Sequence, residues 1–170
     1  MSTYTILVVD DDKTILEIIT QALQYDGYAV ITAENGESGL EKLAEHNVQL
    51  VISDQKMPGM TGLDFLAKVK QQNPEALTIM LTGYADVEIA MDAINTTGVY
   101  KFLVKPINIA ELRITVKRAL ELGQLVSERD ELVERIKTHE AKLKALERKH
   151  PGITMVERDE DGTVILDLDD

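Results

Sequence analysis

Five short apolar segments, each followed by a stretch with helical spacing, constrain the fold of this 170-residue chain more than any other feature. The segments are rich in Val, Ile and Leu, and they are Thr5–Val9, Tyr28–Thr32, Val48–Ser53, Leu77–Leu81 and Val99–Val104. Short, continuously apolar segments are typical of strands that are buried on both faces. The alternation therefore predicts an α/β fold, in which a parallel sheet with right-handed crossovers carries helices on both faces.

Local signals indicate where some of the intervening helices begin. Thr61 is followed three residues later by Asp64, which is a capping pattern, and Asp86 precedes a run with helical apolar spacing. Asp12 follows the first apolar segment and is a candidate cap for the first helix.

Composition excludes several classes of site. The chain has no cysteine, which excludes a disulfide framework, a cysteine-ligated metal and a cysteine nucleophile. The three histidines are far apart in sequence, which disfavours a zinc site or a Ser/His triad. The net charge of −12 argues against nucleic acid as a direct partner, because phosphate binding requires a basic face. Since no apolar run is long enough for a membrane span or a signal peptide, we expect no membrane association and a cytoplasmic location.

Polar residues stand at the carboxyl ends of the predicted strands, where an open parallel sheet binds its ligands. Most are acidic, and one hydroxyl and one amine join them: Asp10, Asp11, Asp12, Asp54, Thr82 and Lys105. Singly, each has an ordinary structural explanation, such as a helix cap or a turn. Together, the carboxylates would crowd like charges into one crevice unless a cation or Lys105 offsets them. Carboxylate oxygens suit Mg²⁺, and a cation beside an amine and a hydroxyl predicts a site where one Asp attacks a phosphoryl group.

Four stretches contain these residues and their neighbours: ILVVDDDKTI, LVISDQKMPGMTGLDFL, IMLTGYAD and YKFLVKPI. With these stretches, in this order, the sequence resembles the receiver domain of bacterial two-component response regulators over about residues 3–122. The resemblance implies a flavodoxin-like sheet of five parallel strands in the order 2-1-3-4-5.

The resemblance also implies roles for single residues. Asp54 matches the phosphoacceptor, which takes its phosphoryl group from a sensor histidine kinase. Asp10 and Asp11 match the acidic pair at the Mg²⁺ site, with Asp11 as a direct ligand and Asp10 acting largely through water. The backbone carbonyl of Lys56 is expected to be a further metal ligand, and Lys105 is expected to contact the phosphoryl group.

Four further residues are implicated in switching or in the lifetime of the phosphorylated state. Thr82 matches the hydroxyl that moves towards the phosphoryl group, and Phe102, rather than Tyr100, matches the aromatic residue coupled to it. Because Phe102 has no phenolic hydroxyl, the switch would depend on packing alone. Lys56 and Tyr84 are predicted to modulate the lifetime; the Tyr84 ring would obstruct the attacking water, unless it simply points to solvent.

A long helix is predicted to continue beyond the receiver-like region as far as Pro151, with Gly123 as its one unfavourable residue. A heptad pattern begins at Leu122, and six of its nine a and d positions are apolar; these positions are Leu122, Leu125, Arg129, Leu132, Ile136, His139, Leu143, Leu146 and His150. The pattern predicts a coiled coil.

Charges beside this seam favour a parallel homodimer. In a parallel pair, Arg135 would face Glu140 of the other chain and Lys142 would face Glu147, and both pairs are opposite in sign. The alternative is a single helix that folds back on the receiver-like region.

The last residues are acidic and β-prone. The runs Ile153–Glu157 and Thr163–Leu168 surround an Asp-Gly turn signal and predict a hairpin, which would need a covering surface to be stable. Asp159–Thr163 spells the DxDGT signature of haloacid-dehalogenase-type phosphotransferases, but only seven residues follow it, which is too few for that catalytic domain.

The sequence thus predicts a receiver domain over residues 1–121, a coiled-coil helix over 122–150 and an acidic hairpin tail over 151–170. We expect a stand-alone dimeric response regulator that signals to a downstream protein. It would be no enzyme beyond its own phosphorylation and dephosphorylation. Two alternatives stay open: a phosphorelay intermediate, and a fragment or subunit of a signalling enzyme such as an HD-type phosphohydrolase or a hybrid kinase.

Overall fold

The computed structural model describes residues 4–83 and 98–152, and in this part of the chain five parallel strands form one sheet in the order β2-β1-β3-β4-β5. The strands are β1 (Thr5–Val9), β2 (Ala29–Ala33), β3 (Leu50–Asp54), β4 (Leu77–Thr82) and β5 (Lys101–Val104). The helices are α1 (Lys13–Tyr25), α2 (Gly36–Glu45), α3 (Gly62–Gln72) and α4 (Ile109–Lys149). The predicted fold class and strand order are confirmed. The predicted helix after Asp86, the position of Tyr84 and the hairpin after Gly152 lie outside the described residues.

Several predicted strand ends were wrong by one or two residues. Val48 and Val99 were assigned to strands because they are apolar, yet they precede β3 and β5. Both are almost fully buried, 2% and 8% exposed, although they are not part of a strand. An apolar residue indicates burial, whereas the ends of a strand are defined by the backbone hydrogen bonds to neighbouring strands. Asp54 also belongs to β3 as its last residue rather than following the strand.

Alternate residues of the strands face opposite sides of the sheet, so one strand supplies two cores. Ile6 and Val8 of β1 pack in a cluster with buried residues of α1 and α4. Leu7 and Val9 pack in a second cluster with buried residues of α2 and α3. These four side chains are fully buried, which explains why β1 has no polar residue after Thr5.

Two of the predicted helix caps are present. The Asp12 carboxylate accepts a hydrogen bond of 2.8 Å from the Thr14 amide at the start of α1. At the start of α3, the Thr61 hydroxyl accepts from the Asp64 amide at 3.2 Å and donates to the Asp64 carboxylate at 2.8 Å. These contacts satisfy amides that have no partner within the helix.

Gly62, the first residue of α3, lies directly against the backbone of Asp54. A β-carbon at this position would be 2.2 Å from the Asp54 carbonyl oxygen and 2.8 Å from the Gln55 α-carbon. The Gly62 amide also donates to the Gln55 carbonyl at 2.9 Å. Glycine is therefore required here for a close approach, and the approach fixes the backbone at the end of β3.

The predicted long helix is confirmed as α4, which continues through Gly123. The residues buried on α4 are Leu112, Thr115, Val116, Ala119 and Leu120. In contrast, every residue from Gln124 to His150 is exposed. The chain divides into two compact units, Met1–Leu125 and Val126–Asp170. Among the described residues, no helix is long and apolar enough to cross a membrane.

We expect Gly62→Ala to lower the free energy of unfolding by about 1–3 kcal/mol, because its β-carbon would overlap the Asp54 backbone, which cannot move aside without distorting β3. Urea denaturation of the purified chain measures the change. Gly123→Ala is the control, since the nearest atom to its β-carbon is a Leu77 side-chain methyl at 3.3 Å and alanine favours helix by about 1 kcal/mol. Equal stability of the Gly62→Ala variant and the wild type would contradict the expectation.

Candidate functional site

The backbone brings the ends of the strands to one edge of the sheet. Ser53 is in register with Val9 of β1, and Asp54 is in register with Leu81 of β4. The loop after β5 lies at the same edge, because the Lys105 amide donates to the Thr82 carbonyl, at the end of β4, at 2.8 Å. Residues at these ends must therefore be neighbours, although they are distant in sequence.

Three carboxylates converge at this edge. Asp10, Asp11 and Asp54 each offer an oxygen, and these three oxygens lie within 4.8 Å of one another. Asp10 is fully buried and Asp54 is 5% exposed, whereas Asp11 is exposed. Like charges at such separations repel strongly in a partly desolvated site, so the cluster requires positive charge nearby.

Lys105 supplies positive charge to the two buried carboxylates. Its ammonium nitrogen is 2.9 Å from the Asp10 Oδ2 atom and 2.9 Å from the Asp54 Oδ1 atom. One ammonium therefore bridges both acids. The Lys105 side chain is 28% exposed, so it also remains accessible to solvent.

The pKa values of Asp10 and Lys105 reflect this arrangement. Burial raises the pKa of Asp10 above its usual range and the nearby Asp54 charge adds to the rise, although the Asp12 amide and the Lys105 ammonium oppose it. Burial alone would lower the pKa of Lys105, but the hydrogen bonds to Asp54 and Asp10 outweigh it and hold that pKa above its usual range. The ionised form of Asp10 is therefore disfavoured by its surroundings, and Lys105 stays protonated.

Asp10 and Asp11 differ in how their oxygens are used. Asp10 accepts from the Asp12 amide at 2.9 Å through Oδ1 and from Lys105 through Oδ2, so both of its oxygens have partners. Within the described ranges, the Asp11 carboxylate makes no hydrogen bond or ion pair. Asp11 thus presents an exposed carboxylate beside two buried ones.

The donor set fits a hard divalent cation. Three carboxylates, one of them open to solvent, leave positions for water, and Mg²⁺ in proteins commonly keeps several waters beside one or two carboxylates. The Lys56 backbone could add a carbonyl, since Lys56 lies two residues past Asp54 in the loop that leads to α3.

The remaining predicted site residues lie at or near this edge. Thr82, the last residue of β4, is fully buried, and its hydroxyl donates a long hydrogen bond of 3.3 Å to the Gly83 carbonyl. Phe102 of β5 is in register with Met80 of β4 and packs, partly buried, against the core on the α2 and α3 side. Lys56 is exposed.

Sequence reasoning missed the contribution of the loop after Asp54. The Gln55 side chain accepts from the Leu63 amide at 3.1 Å, which joins the end of β3 to the first turn of α3 beside Gly62. The signal that could have indicated it was a glycine at the first position of a helix, immediately after the Thr61 cap, where any good helix former would otherwise serve.

Comparison with known proteins decides the family. Residues 6–117 match the family described as the response regulator receiver domain. The chain belongs to the response regulator receiver family. Receiver domains of two-component systems accept a phosphoryl group from histidine kinases and bind Mg²⁺ at their acidic site.

Individual relatives and structures are similar over the same region. The chain is 38% identical over 116 residues to a cyclic di-GMP phosphodiesterase of Thermotoga maritima, which covers 68% of this chain and 31% of the relative. It is also 38% identical over 113 residues to the DNA-binding transcriptional regulator NtrC of Escherichia coli, over 66% of this chain and 24% of the relative. The signal receiver domain of an HD domain-containing protein from Pseudomonas fluorescens Pf-5 matches at 35% identity with a TM-score of 0.69, over 72% of this chain and 98% of that one.

These matches concern the receiver region only. The chain spans less than a third of the length of the two curated relatives. Since relatives include transcriptional regulators, the expectation that nucleic acid is not a partner receives no support from them.

We expect Mg²⁺ to stabilise the wild-type receiver and Asp11→Asn to remove most of that effect, because the variant loses the exposed carboxylate. A ligand that binds only the folded state adds about 1.4 kcal/mol at ten times its Kd. Thermal unfolding with and without MgCl₂ measures the shift. Asp12→Asn is the matched control, since it removes the adjacent charge while asparagine caps a helix as well as aspartate. An equal Mg²⁺ response in both variants would contradict the assignment of Asp11.

We expect Lys105→Met to lower the free energy of unfolding by about 1–3 kcal/mol at pH 7 without Mg²⁺, because two buried carboxylates lose their counter-ion. The folded state would then hold the Asp10 proton more tightly than the unfolded chain does, so stability should fall as pH rises above the ordinary carboxyl range.

The measurement for Lys105→Met is urea denaturation between pH 4 and 7. Adding Asp10→Asn should restore most of the lost stability, because the repulsion with Asp54 is removed. Lys101→Met serves as control, since the Lys101 ammonium is half exposed and 3.7 Å from its partner Glu111. A loss independent of pH, or equal to that of the control, would show that the bridge has little energetic role.

Proposed function

We propose that this chain is a response regulator that accepts a phosphoryl group on Asp54 from the phosphohistidine of a sensor histidine kinase. The observation that carries the proposal is the Lys105 ammonium placed 2.9 Å from Asp54, within a cluster of carboxylates that suits Mg²⁺. The family membership supports the same conclusion.

The proposed reaction needs little from the protein beyond positioning and charge. An oxygen of Asp54 forms a bond to phosphorus, the P–N bond of the phosphohistidine breaks, and the bonding electrons leave with the imidazole nitrogen, which then takes a proton. Asp11 would be the direct Mg²⁺ ligand and Asp10 would act through water, with the Lys56 carbonyl and Asp54 completing the protein ligands. Bound Mg²⁺ would offset negative charge on the phosphoryl oxygens. Because Lys105 already lies beside Asp54, its ammonium needs only a small movement to contact those oxygens.

We propose that the readout begins at Thr82. Its hydroxyl is buried at the end of β4, and its one hydrogen bond within the described residues, to the Gly83 carbonyl, is long, so the hydroxyl is available to bond a phosphoryl oxygen on Asp54. Movement of Thr82 would leave space for the Phe102 ring, which is packed only in part and carries no hydroxyl of its own. Lys56 and Tyr84 would affect how long the phosphoryl group persists.

We propose output through protein–protein contact, with residues 1–121 as receiver, 122–150 as a dimerising coiled-coil helix and 151–170 as an acidic tail. The exposed apolar side chains on α4 beyond the receiver support an interaction surface there, for example Leu132 and Ile136. Pairing of two copies through this surface would give a homodimer that contacts a downstream protein.

A second candidate is favoured by the comparisons. The relatives are three to four times longer than the matched region, and one is a cyclic di-GMP phosphodiesterase. The chain would on this account be the regulatory part of a larger signalling protein, and its exposed helix would connect to or contact the output domain. A phosphorelay intermediate is the remaining alternative, distinguished by transfer of the phosphoryl group from Asp54 to a second histidine protein.

We expect radiolabelled acetyl phosphate with Mg²⁺ to label the wild-type chain and Asp54→Asn to reduce the label to background, because the amide cannot act as the nucleophile. The label should be lost with hydroxylamine, as an acyl phosphate requires, and without Mg²⁺. Asp12→Asn serves as the control and should be labelled as the wild type is. Persistent, hydroxylamine-resistant label in Asp54→Asn would overturn the proposal.

A further inference from the structure

The second half of α4 presents a row of large apolar side chains to solvent. Leu132 is 56% exposed, Ile136 is 59% exposed and Leu143 is 51% exposed. Leu146, at 46%, extends the same row towards the end of the helix. Helices in proteins gain most of their stability from packing an apolar face rather than from intrinsic propensity, so exposed apolar side chains in a row indicate a partner.

These side chains form a narrow stripe. They occupy a and d positions of one heptad pattern, and Arg129 and His139 are the polar members of that stripe between Val126 and Lys149. A two-position stripe is the seam of a coiled coil, whereas a helix that packs on a globular surface usually presents a wider apolar face. The stripe therefore fits another helix of the same kind.

Flanking charges identify a second copy of this chain as that helix and fix its direction. In a parallel, in-register pair, Arg135 faces Glu140 of the second copy and Lys142 faces Glu147, and two-fold symmetry repeats both attractions. In an antiparallel pair aligned about the middle of the segment, Arg135 instead faces Lys142, a repulsion. The charge pattern thus favours the parallel arrangement.

The polar seam residues fix the register. In register, Arg129 of each chain lies beside Glu128 of the second copy, at the edge of the seam. A slip of one heptad would place Arg129 of one copy in a layer with Ile136 and beside Arg135 of the other copy, where its charge would meet a like charge and no matching acid. A polar residue at an a position is a known means of specifying register at some cost in stability.

We propose that Val126–Lys149 pairs with a second copy of itself as a parallel, in-register two-stranded coiled coil, and that Arg129 fixes the alignment. The inference rests on the dimer part of the proposed function and is independent of the phosphoryl chemistry at Asp54. Labelled but monomeric protein would overturn this pairing alone, and unlabelled dimer would overturn the phosphoacceptor proposal alone.

Disulfide mapping tests direction and register on the full chain, which has no cysteine of its own. We expect Leu132→Cys alone and Leu143→Cys alone each to form a symmetric cross-linked dimer on mild oxidation. Ala141→Cys, on the opposite face of the helix, should not cross-link. Mixed cross-links between the first two variants should be absent, because their 11-residue separation is about 16 Å along a helix, beyond disulfide reach. Mixed links without symmetric ones would establish the antiparallel pair and overturn the proposal.

Two further measurements keep the test independent of any single variant. Sedimentation of the wild-type chain should give the mass of two copies; a mass of one or of four would overturn the proposal. Arg135→Glu should raise the dimer Kd about threefold to tenfold, and Arg135→Glu with Glu140→Arg should restore it, since the charges are exchanged across the seam. Arg129→Leu should lower Kd because it removes the polar seam residue, and a higher Kd would place Arg129 outside the seam.

Discussion

The ion bridge from Lys105 to Asp10 and Asp54 is the interaction on which the organisation of this receiver depends. Two carboxylates are buried at neighbouring strand ends, and desolvation together with mutual repulsion makes that burial unfavourable. The ammonium, 2.9 Å from each acid, offsets part of the cost, while the exposed Asp11 leaves the site short of positive charge. A site in this condition suits a divalent cation, and it holds the proposed phosphoacceptor, Asp54, next to the ammonium that would contact an incoming phosphoryl oxygen.

The sheet explains how residues 10, 54 and 105 meet. Because β1 lies between β2 and β3, the end of the first strand is adjacent to the end of the third, and β5 reaches the site from the far edge through the loop at Lys105. The backbone position of Asp54 is fixed further by α3. Its first residue, Gly62, lies so close to the Asp54 carbonyl that a β-carbon could not fit. The position of Asp54, the proposed phosphoacceptor, therefore depends on a glycine that has no chemical role.

The sequence was sufficient for the features that depend on pattern. The parallel sheet and the shared edge follow from five apolar segments separated by helices, and the Thr61 cap follows from local spacing. The strand order was implied by the resemblance to the receiver family. Strand bounds at Val48 and Val99 could not be predicted, because apolar loop residues are buried as deeply as strand residues. The sequence placed Lys105 among the carboxylates of the site. The two distances at which it bridges Asp10 and Asp54, and the contact between Gly62 and Asp54, depend on the folded backbone and have no signal in local spacing. Proposals for Tyr84 and for the hairpin concern residues that the structure does not describe.

Charge acts in opposite ways at the two ends of this chain. In the receiver, like charges are gathered in a buried crevice, where each is costly and where binding a cation or a phosphoryl group changes the balance by a large amount. Along α4 beyond Gln124, charges of both signs stand in solvent, where single pairs contribute little to stability but a regular pattern selects one partner and one direction. A buried cluster of charges is suited to respond to binding of a cation or a phosphoryl group, and an exposed charge pattern is suited to give selectivity for one partner helix. In the proposed pair of helices, burial of Leu132, Ile136 and Leu143 would supply the affinity that the exposed charge pairs lack, and Arg135 and Glu140 would flank that apolar seam.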